Sequence, residues 1–435
     1  MKRTYTKLSI SASVIGVLLS LSSGRPLAGE PASSSLTMGP KTIMSHQAKA
    51  VVGPSVQVDE QGRAHLAWTE EDREVRSLWH AKSDGPGAKL GAPTKVTRPE
   101  DSLYWRQEAP ALLVDGEEIF ITWAATHSKK SPDKPFSNEL RLSRSTDGGK
   151  TFLPPVLVND DDQVTGHSFD ALSLGRDGAV YVSWIDAREG KKDPATYVAR
   201  SDDRGKTLAK NLKIDDNTCV CCRTAMATAP EGTLYVAWRK IFEGNIREIV
   251  AARSTDGGRS FDGPVIVGDD RWVYPGCPHR APSIGVDGQG RLYVLWYTEG
   301  QDEIPAVYVA RSDDQGRTFS PKQALNASKG TFPDHPQLAV DAEGRAVAIW
   351  EEQGPVRKDV VMSYSLDRGT SWSRPHKLNE RRSQNPVVSM NKKGEGALAW
   401  MEHAMPGHKT IVQTFALSSG GYAGLTQEPG TGAAY

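Results

Sequence analysis

The chain has 435 residues, with 53 Lys plus Arg set against 53 Asp plus Glu. That balance, with no dense basic run, excludes a nucleic-acid footprint and makes anionic polymers such as nucleic acids poor partners. The length fits two or three average domains, or one closed β architecture, which commonly runs long as a single unit.

In chain order, Lys2, Arg3 and Lys7 precede the apolar stretch "LSISASVIGVLLSLSS", which is followed by "GRPLAGEPA". A basic start, an apolar centre and small residues are the order of a secretory leader, so residues 1–32 are expected to be a signal peptide cleaved between Ser22 and Ala32. The apolar centre is too short and Ser-rich to span a bilayer, and no later segment reaches ~20 apolar residues. A periplasmic or secreted protein without a membrane span is expected. In such a compartment the four cysteines are free to form disulfides.

Seven segments then repeat one pattern: a short apolar strand, a turn usually containing Gly, and a strand ending in Trp. They run from "PSVQVDEQGRAHLAW" to "PVVSMNKKGEGALAW" and close on Trp68, Trp123, Trp184, Trp238, Trp296, Trp350 and Trp400. Successive Trp residues lie 50 to 61 apart, which accommodates four short strands and their turns. A four-stranded unit repeated seven times predicts an all-β fold, a single seven-bladed β-propeller over residues 40–418. The last repeat lacks a fourth strand, and residues 419–435 have a loose tail's composition. The segment "PKTIMSHQA", ahead of the first repeat, is expected to supply the missing strand and close the ring.

Five repeats also carry a Ser-x-Asp-x-Gly turn, as in "STDGGKTF" from Ser145, "STDGGRSF" from Ser254 and "SDDQGRTF" from Ser312. Asp and Ser side chains bond turn amides and Gly supplies positive φ, so these turns are read as structural. They resemble the Asp-box repeats of the sialidase superfamily, and the resemblance covers roughly residues 40–418. Within it, "CVCCRTA" and "GCPHRAPS" in consecutive blades are similar to a bacterial exported group described as sialidase-like.

In a propeller the loop leading into a blade's first strand and the loop leaving its second strand share a face. Counting back from each Trp aligns the leading loops. Cys219 then matches Cys277, Cys221 matches His279 and His167, and Cys222 matches Arg280. Cys219, Cys221, Cys222, Cys277, His279 and His167 are therefore expected at one sector of the channel mouth. Three chemistries are open to them: one or two disulfides, for instance one tying blade four to blade five; a copper or zinc site of thiolates and His279; or a reactive thiol.

Arg106, Arg223 and Arg280 begin first strands. The sialidase resemblance implies an arginine clamp on a substrate carboxylate, and Arg223 and Arg280 are placed where two of its members would stand. On the same face, Arg188 is a further ligand-binding candidate, and Trp105, Trp272 and Tyr274 in the leading loops are candidates for ligand stacking. Asp186 with Glu299 or Tyr297 would form the acid and nucleophile of a retaining glycosidase. The leading expectation is an exported, monomeric propeller that binds a small anionic, glycan or metal ligand at this face. A sialidase-like glycosidase ranks second, since no Arg-Ile-Pro motif occurs, and a disulfide-braced platform for protein partners third.

Overall fold

The second strand of each repeat is apolar almost throughout, and such a strand is stable only when both of its faces are covered. Every residue of Val180–Asp186 and of Leu292–Thr298 is buried, sandwiched between neighbouring sheets. The computed structural model describes residues 35–418 apart from 46–49, 73–74, 99, 102, 104–108, 130–131, 136, 191–193, 327–329 and 404–407. The expected leader and tail, with Trp105 and Arg106, lie outside the described residues.

Seven antiparallel sheets follow one another; six have four strands and blade four adds a fifth, Trp272–Val273, and in every blade but the last the four main strands run in sequence order. Their first strands are Ala50–Val58, Ala111–Asp115, His167–Leu174, Ala225–Thr228, Ser283–Val286, Phe332–Val340 and Ser383–Met390. Each lies against the next and the last against the first, so the sheets form a closed ring of seven blades. The first strand of blade four is only partly buried, as a wall of the central channel should be.

The ring closes through the chain start. Blade seven takes Ser35–Ser45 as its outer strand, paired antiparallel with His408–Ser418 from Ser35 opposite Ser418 to Ser45 opposite Lys409. The strand begins five residues earlier than "PKTIMSHQA" and slips register between Met38 and Lys41. Gly39 permits that slip, because a Cβ there would overlap Thr414 Oγ1.

The core is divided among the gaps between blades. Trp350 of blade six, for example, packs with Leu295, Val307 and Val309 of blade five. All seven Trp residues that close the repeats are buried. Outer strands are short, only two residues in Thr94–Lys95, Val156–Leu157, Val265–Ile266, Gln323–Ala324 and His376–Lys377, which leaves little exposed edge for unwanted pairing. Apart from a 3-10 turn at Glu243–Asn245 the described residues hold no helix, so none is long and apolar enough to cross a membrane.

The Ser-x-Asp turns join third and fourth strands on the face opposite the leading loops. In one of them Asp256 accepts from Ser254 Oγ (2.7 Å), Arg259 N (3.0 Å), Ser260 N (3.0 Å) and Ser260 Oγ (2.6 Å), while Ser254 Oγ accepts from Gly258 N (2.8 Å). The same bonds recur around Asp147, Asp203 and Asp314, with close variants at Asp367. Hydrogen bonds from Thr or Ser hydroxyls hold Asp147, Asp256 and Asp314 at pKa values of about 2. The carboxylate is thus part of the turn.

Candidate functional site

Blade four's leading loop, residues 216–224, is sutured to its surroundings by main-chain bonds. Cys219 N donates to Arg239 O (2.8 Å), Ile241 N to Asn217 O (2.8 Å) and Thr224 N to Phe169 O of blade three (3.1 Å). This turns Cys219 and Cys222 into the interior, where both are fully buried against Phe169 and Ile241. Cys221 forms a disulfide with Cys277, joining blade four to blade five. The two remain offset in the repeat: the bonded partners are not the residues that the Trp count makes equivalent. Cys219 and Cys222 are free thiols, 3.5 Å apart, with Cys219 Sγ 3.9 Å from Cys221 Sγ. All four sulfurs therefore gather as the repeat predicted, and His279 lies within 4.8 Å of the bonded pair.

With Cys221 and Cys277 joined, a copper or zinc ion would have two thiols, Cys219 and Cys222, in place of four. His167 is not part of the cluster. Its Nδ1 faces Asn138 O (2.7 Å) and its Nε2 faces Asp161 Oδ2 (2.9 Å), with Asp186 Oδ1 at 3.7 Å. Both ring nitrogens meet acceptors, so the imidazolium form fits. Burial opposes its charge, but the bond to Asp161 and the field of Asp186 prevail and raise its pKa.

Asp186 proves to be a structural anchor. It is fully buried and accepts from Trp184 Nε1 (2.8 Å), Arg188 N (2.8 Å) and Arg188 Nη2 (2.8 Å). Arg188 also reaches Asp160 (2.6 Å) and Asp161 (3.0 Å), so its fork is occupied. A repeat signal had marked this role: Trp68 bonds Glu70 and Trp350 bonds Glu352, each two residues on, just as Trp184 bonds Asp186. An acid at that spacing caps the buried indole N–H. A general-acid role would require it to leave three partners.

Trp272 is also buried. It stacks on Tyr274 with ring centroids 4.9 Å apart and carries the Arg239 guanidinium 5.1 Å above it, so it supports the loop and offers no face to a sugar. Tyr274 is half-buried in the same stack. Arg223 donates Nη1 to Asp170 O (2.8 Å) and Nη2 to Ala109 O, spending its fork on main-chain carbonyls of blades three and two. Tyr297 is buried, with its hydroxyl donated to Glu299 Oε1 (2.6 Å), and burial followed by that bond pushes the phenol far up. A phenolate nucleophile is not on offer.

Arg280 is different. Its Nε donates to Asp334 Oδ1 (3.1 Å) and its guanidinium lies 4.1 Å above the Tyr297 ring, while its terminal nitrogens have no partner among the described residues. Beside it stand groups the Trp count overlooked. Fifteen residues before the Trp, blades one, three, six and seven place Gly53, Phe169, His335 and Asn385, all with positive φ and all at a register slip in the first strand. A bulge there turns the strand at the same height in all four blades, and in blade six the residue it carries is His335. His335 N bonds Asp334 Oδ1 (2.9 Å), and its Nδ1 lies 3.4 Å from Glu351 Oε1. His335 is crowded by protein yet keeps an edge open to the mouth. Burial opposes its charge, but Glu351 and Asp334 raise its pKa. Glu351, fully buried, is held at about 2 against desolvation by His335 and Lys358. His279 extends from blade five toward Phe169, ring centroids 6.4 Å apart, and burial with the neighbouring His335 charge lowers its pKa.

The chain folds as a seven-bladed β-propeller whose leading-loop face carries an Arg–imidazole mouth beside a sulfur cluster. No family model and no curated protein matches it. Solved structures with TM-scores above 0.5 share the fold. Polysaccharide lyase Uly1 is 12% identical with a TM-score of 0.58 over 86% of this chain and 92% of that one. An ulvan lyase bound to -[GlcA(1-4)Rha3S]- is 10% identical with a TM-score of 0.55 over 82% and 93%. The Hadza microbial sialidase Hz136 is 17% identical with a TM-score of 0.48 over 78% and 73%.

Proposed function

We propose that this exported protein binds an acidic saccharide at the channel mouth, with Arg280 clamping its carboxylate. The observation that carries this reading is the state of Arg280: Nε tied to Asp334, face on Tyr297, and both terminal nitrogens unpartnered among the described residues. A guanidinium fixed in this way retains the paired donors that match a carboxylate or sulfate, at little further cost in side-chain entropy. His279 and His335 border the same opening. The ulvan lyase of similar fold, solved with a glucuronate-containing saccharide, supports this ligand class. A disulfide between blades is compatible with a periplasmic or secreted location.

Calorimetric titration with glucuronate-containing oligosaccharides, sialic acid and a neutral glucan tests it. Acidic ligands should bind and the neutral one should not. Arg280→Ala should weaken binding by about tenfold or more, with Arg280→Lys between. Equal affinity of the Ala variant, or of the neutral glucan, overturns the assignment.

One observation favours a second reading, cleavage of the bound uronate. His279 is exposed with a lowered pKa, so a neutral imidazole stands next to the carboxylate clamp, the pairing that proton abstraction beside a carboxylate requires. Ultraviolet absorbance of an unsaturated product would mark it. An Asp186-based hydrolysis lacks such support, since that carboxylate is consumed by Trp184 and Arg188.

A further inference from the structure

Arg239 and Arg247 are buried cations that form no ion pair among the described residues. Arg239 donates to Arg280 O (3.2 Å) and Tyr297 O (2.7 Å), and Arg247 to Tyr274 O (3.0 Å) and Gly276 O (2.9 Å). The Arg239 Nη1 is buried without a hydrogen-bond partner among the described residues. A buried guanidinium without a carboxylate partner favours a nearby group that turns negative. Both fields act on Cys219. The hydrogen bond from Cys222 comes first, and with Arg247 and Arg239 it outweighs burial and lowers the pKa of the Cys219 thiol. Cys222, driven up by burial, keeps its proton and donates it.

That thiolate lies 3.9 Å from Cys221 Sγ, the buried half of a disulfide whose other half, Cys277, is exposed. A thiolate beside a disulfide sulfur, with a second thiol at 3.5 Å, is the reactant arrangement of thiol–disulfide exchange. We propose that the four cysteines form a two-electron relay, in which the buried Cys219–Cys222 dithiol exchanges with the Cys221–Cys277 disulfide and, through Cys277, with an external disulfide.

The steps balance. Cys219 Sγ⁻ attacks Cys221 Sγ, the Cys221–Cys277 bond breaks, and the electron pair leaves on Cys277, which takes a proton from solvent. Cys222, losing its proton to solvent, attacks Cys219 Sγ and releases Cys221 as the thiolate, which is then protonated. The buried pair is now oxidised and the outer pair reduced. Cys277 next attacks an external disulfide, Cys221 resolves the mixed disulfide, and two external thiols leave. Two electrons have passed from the buried dithiol to the external disulfide, and the Cys221–Cys277 bond is restored.

Native-state alkylation with iodoacetamide, read by peptide mass spectrometry, tests the internal step. In Cys222→Ser the first exchange still frees Cys277, so Cys277 should be labelled about tenfold faster than in Cys219→Ser, where no attacking thiolate remains. Oxidised glutathione tests the outer step. The unaltered protein should lose both free thiols and gain a Cys219–Cys222 bond, while Cys277→Ser, folded by circular dichroism, should keep the pair reduced about tenfold longer. Equal Cys277 labelling in the two variants overturns the relay, and so does a Cys219–Cys222 pair that oxidises as fast without Cys277. The glycan reading stands or falls separately, because it depends on Arg280.

Discussion

Individual residues in this chain are legible where chemistry and repeat spacing agree. Asp256 sits in a turn whose bonds it supplies, so Asp256→Ala should lower the urea midpoint by an amount equivalent to about 1 kcal/mol and leave saccharide affinity unchanged. Asp186 was harder to place. An acid after a Trp in a polar loop has the composition of a solvated rim; Trp-x-acid recurs in blades one, three, six and seven, and in the first three of these the acid accepts from the indole. Asp186→Ala strands Trp184 Nε1 and weakens the hold on Arg188 and His167. Thermal unfolding should show a loss of about 3 kcal/mol with no specific effect on catalysis or binding in the protein that remains folded. A loss of binding at unchanged stability would return Asp186 to the site. Trp272 and Arg239 could not be placed from sequence, since nothing local states that one lies beneath the other.

At the scale of elements, strand succession follows from periodicity, while the bulges do not. The slip at the start of a first strand sets one extra residue against its partner, which alternation does not encode. Its trace is the position fifteen residues before the Trp, where blades one, three, six and seven bear residues as unlike as Gly53, Phe169, His335 and Asn385. The closing strand was legible because blade seven lacked one. Removal of residues through Ser45 would expose the whole pairing edge of His408–Ser418. The truncated chain should unfold at lower temperature and associate with rising concentration in size-exclusion chromatography. A monomer of unchanged melting temperature would show that the ring does not need this closure.

Across the whole molecule, charge is distributed so that stability falls on both the acid and the alkaline side. Glu351 has a folded pKa of about 2 against an ordinary 4.5, and the turn carboxylates Asp147, Asp256 and Asp314 shift the same way. A depressed pKa stabilises fully above the unfolded value and is lost as pH falls through the folded one. His167 and His335 are raised, so their contribution is complete below an ordinary 6.5 and fades as pH climbs through their folded values. Burial lowers the pKa of His65 to about 4 and of His80 to about 3, so their contribution is lost as pH falls below 6.5, and urea midpoints should fall from there toward pH 2 and decline again above neutrality. A flat acid limb would contradict the assigned ion pairs. The ring also decides which distant residues meet: it carries Cys221 and Cys277, 56 positions apart, to a single bond, and holds Arg280 three residues from that bond. Peptide mapping of the unreduced, alkylated protein tests this most directly. The account predicts that Cys277 is linked to Cys221 as the dominant species, and a Cys277 that is alkylated, or bonded to Cys219 or Cys222, would contradict it.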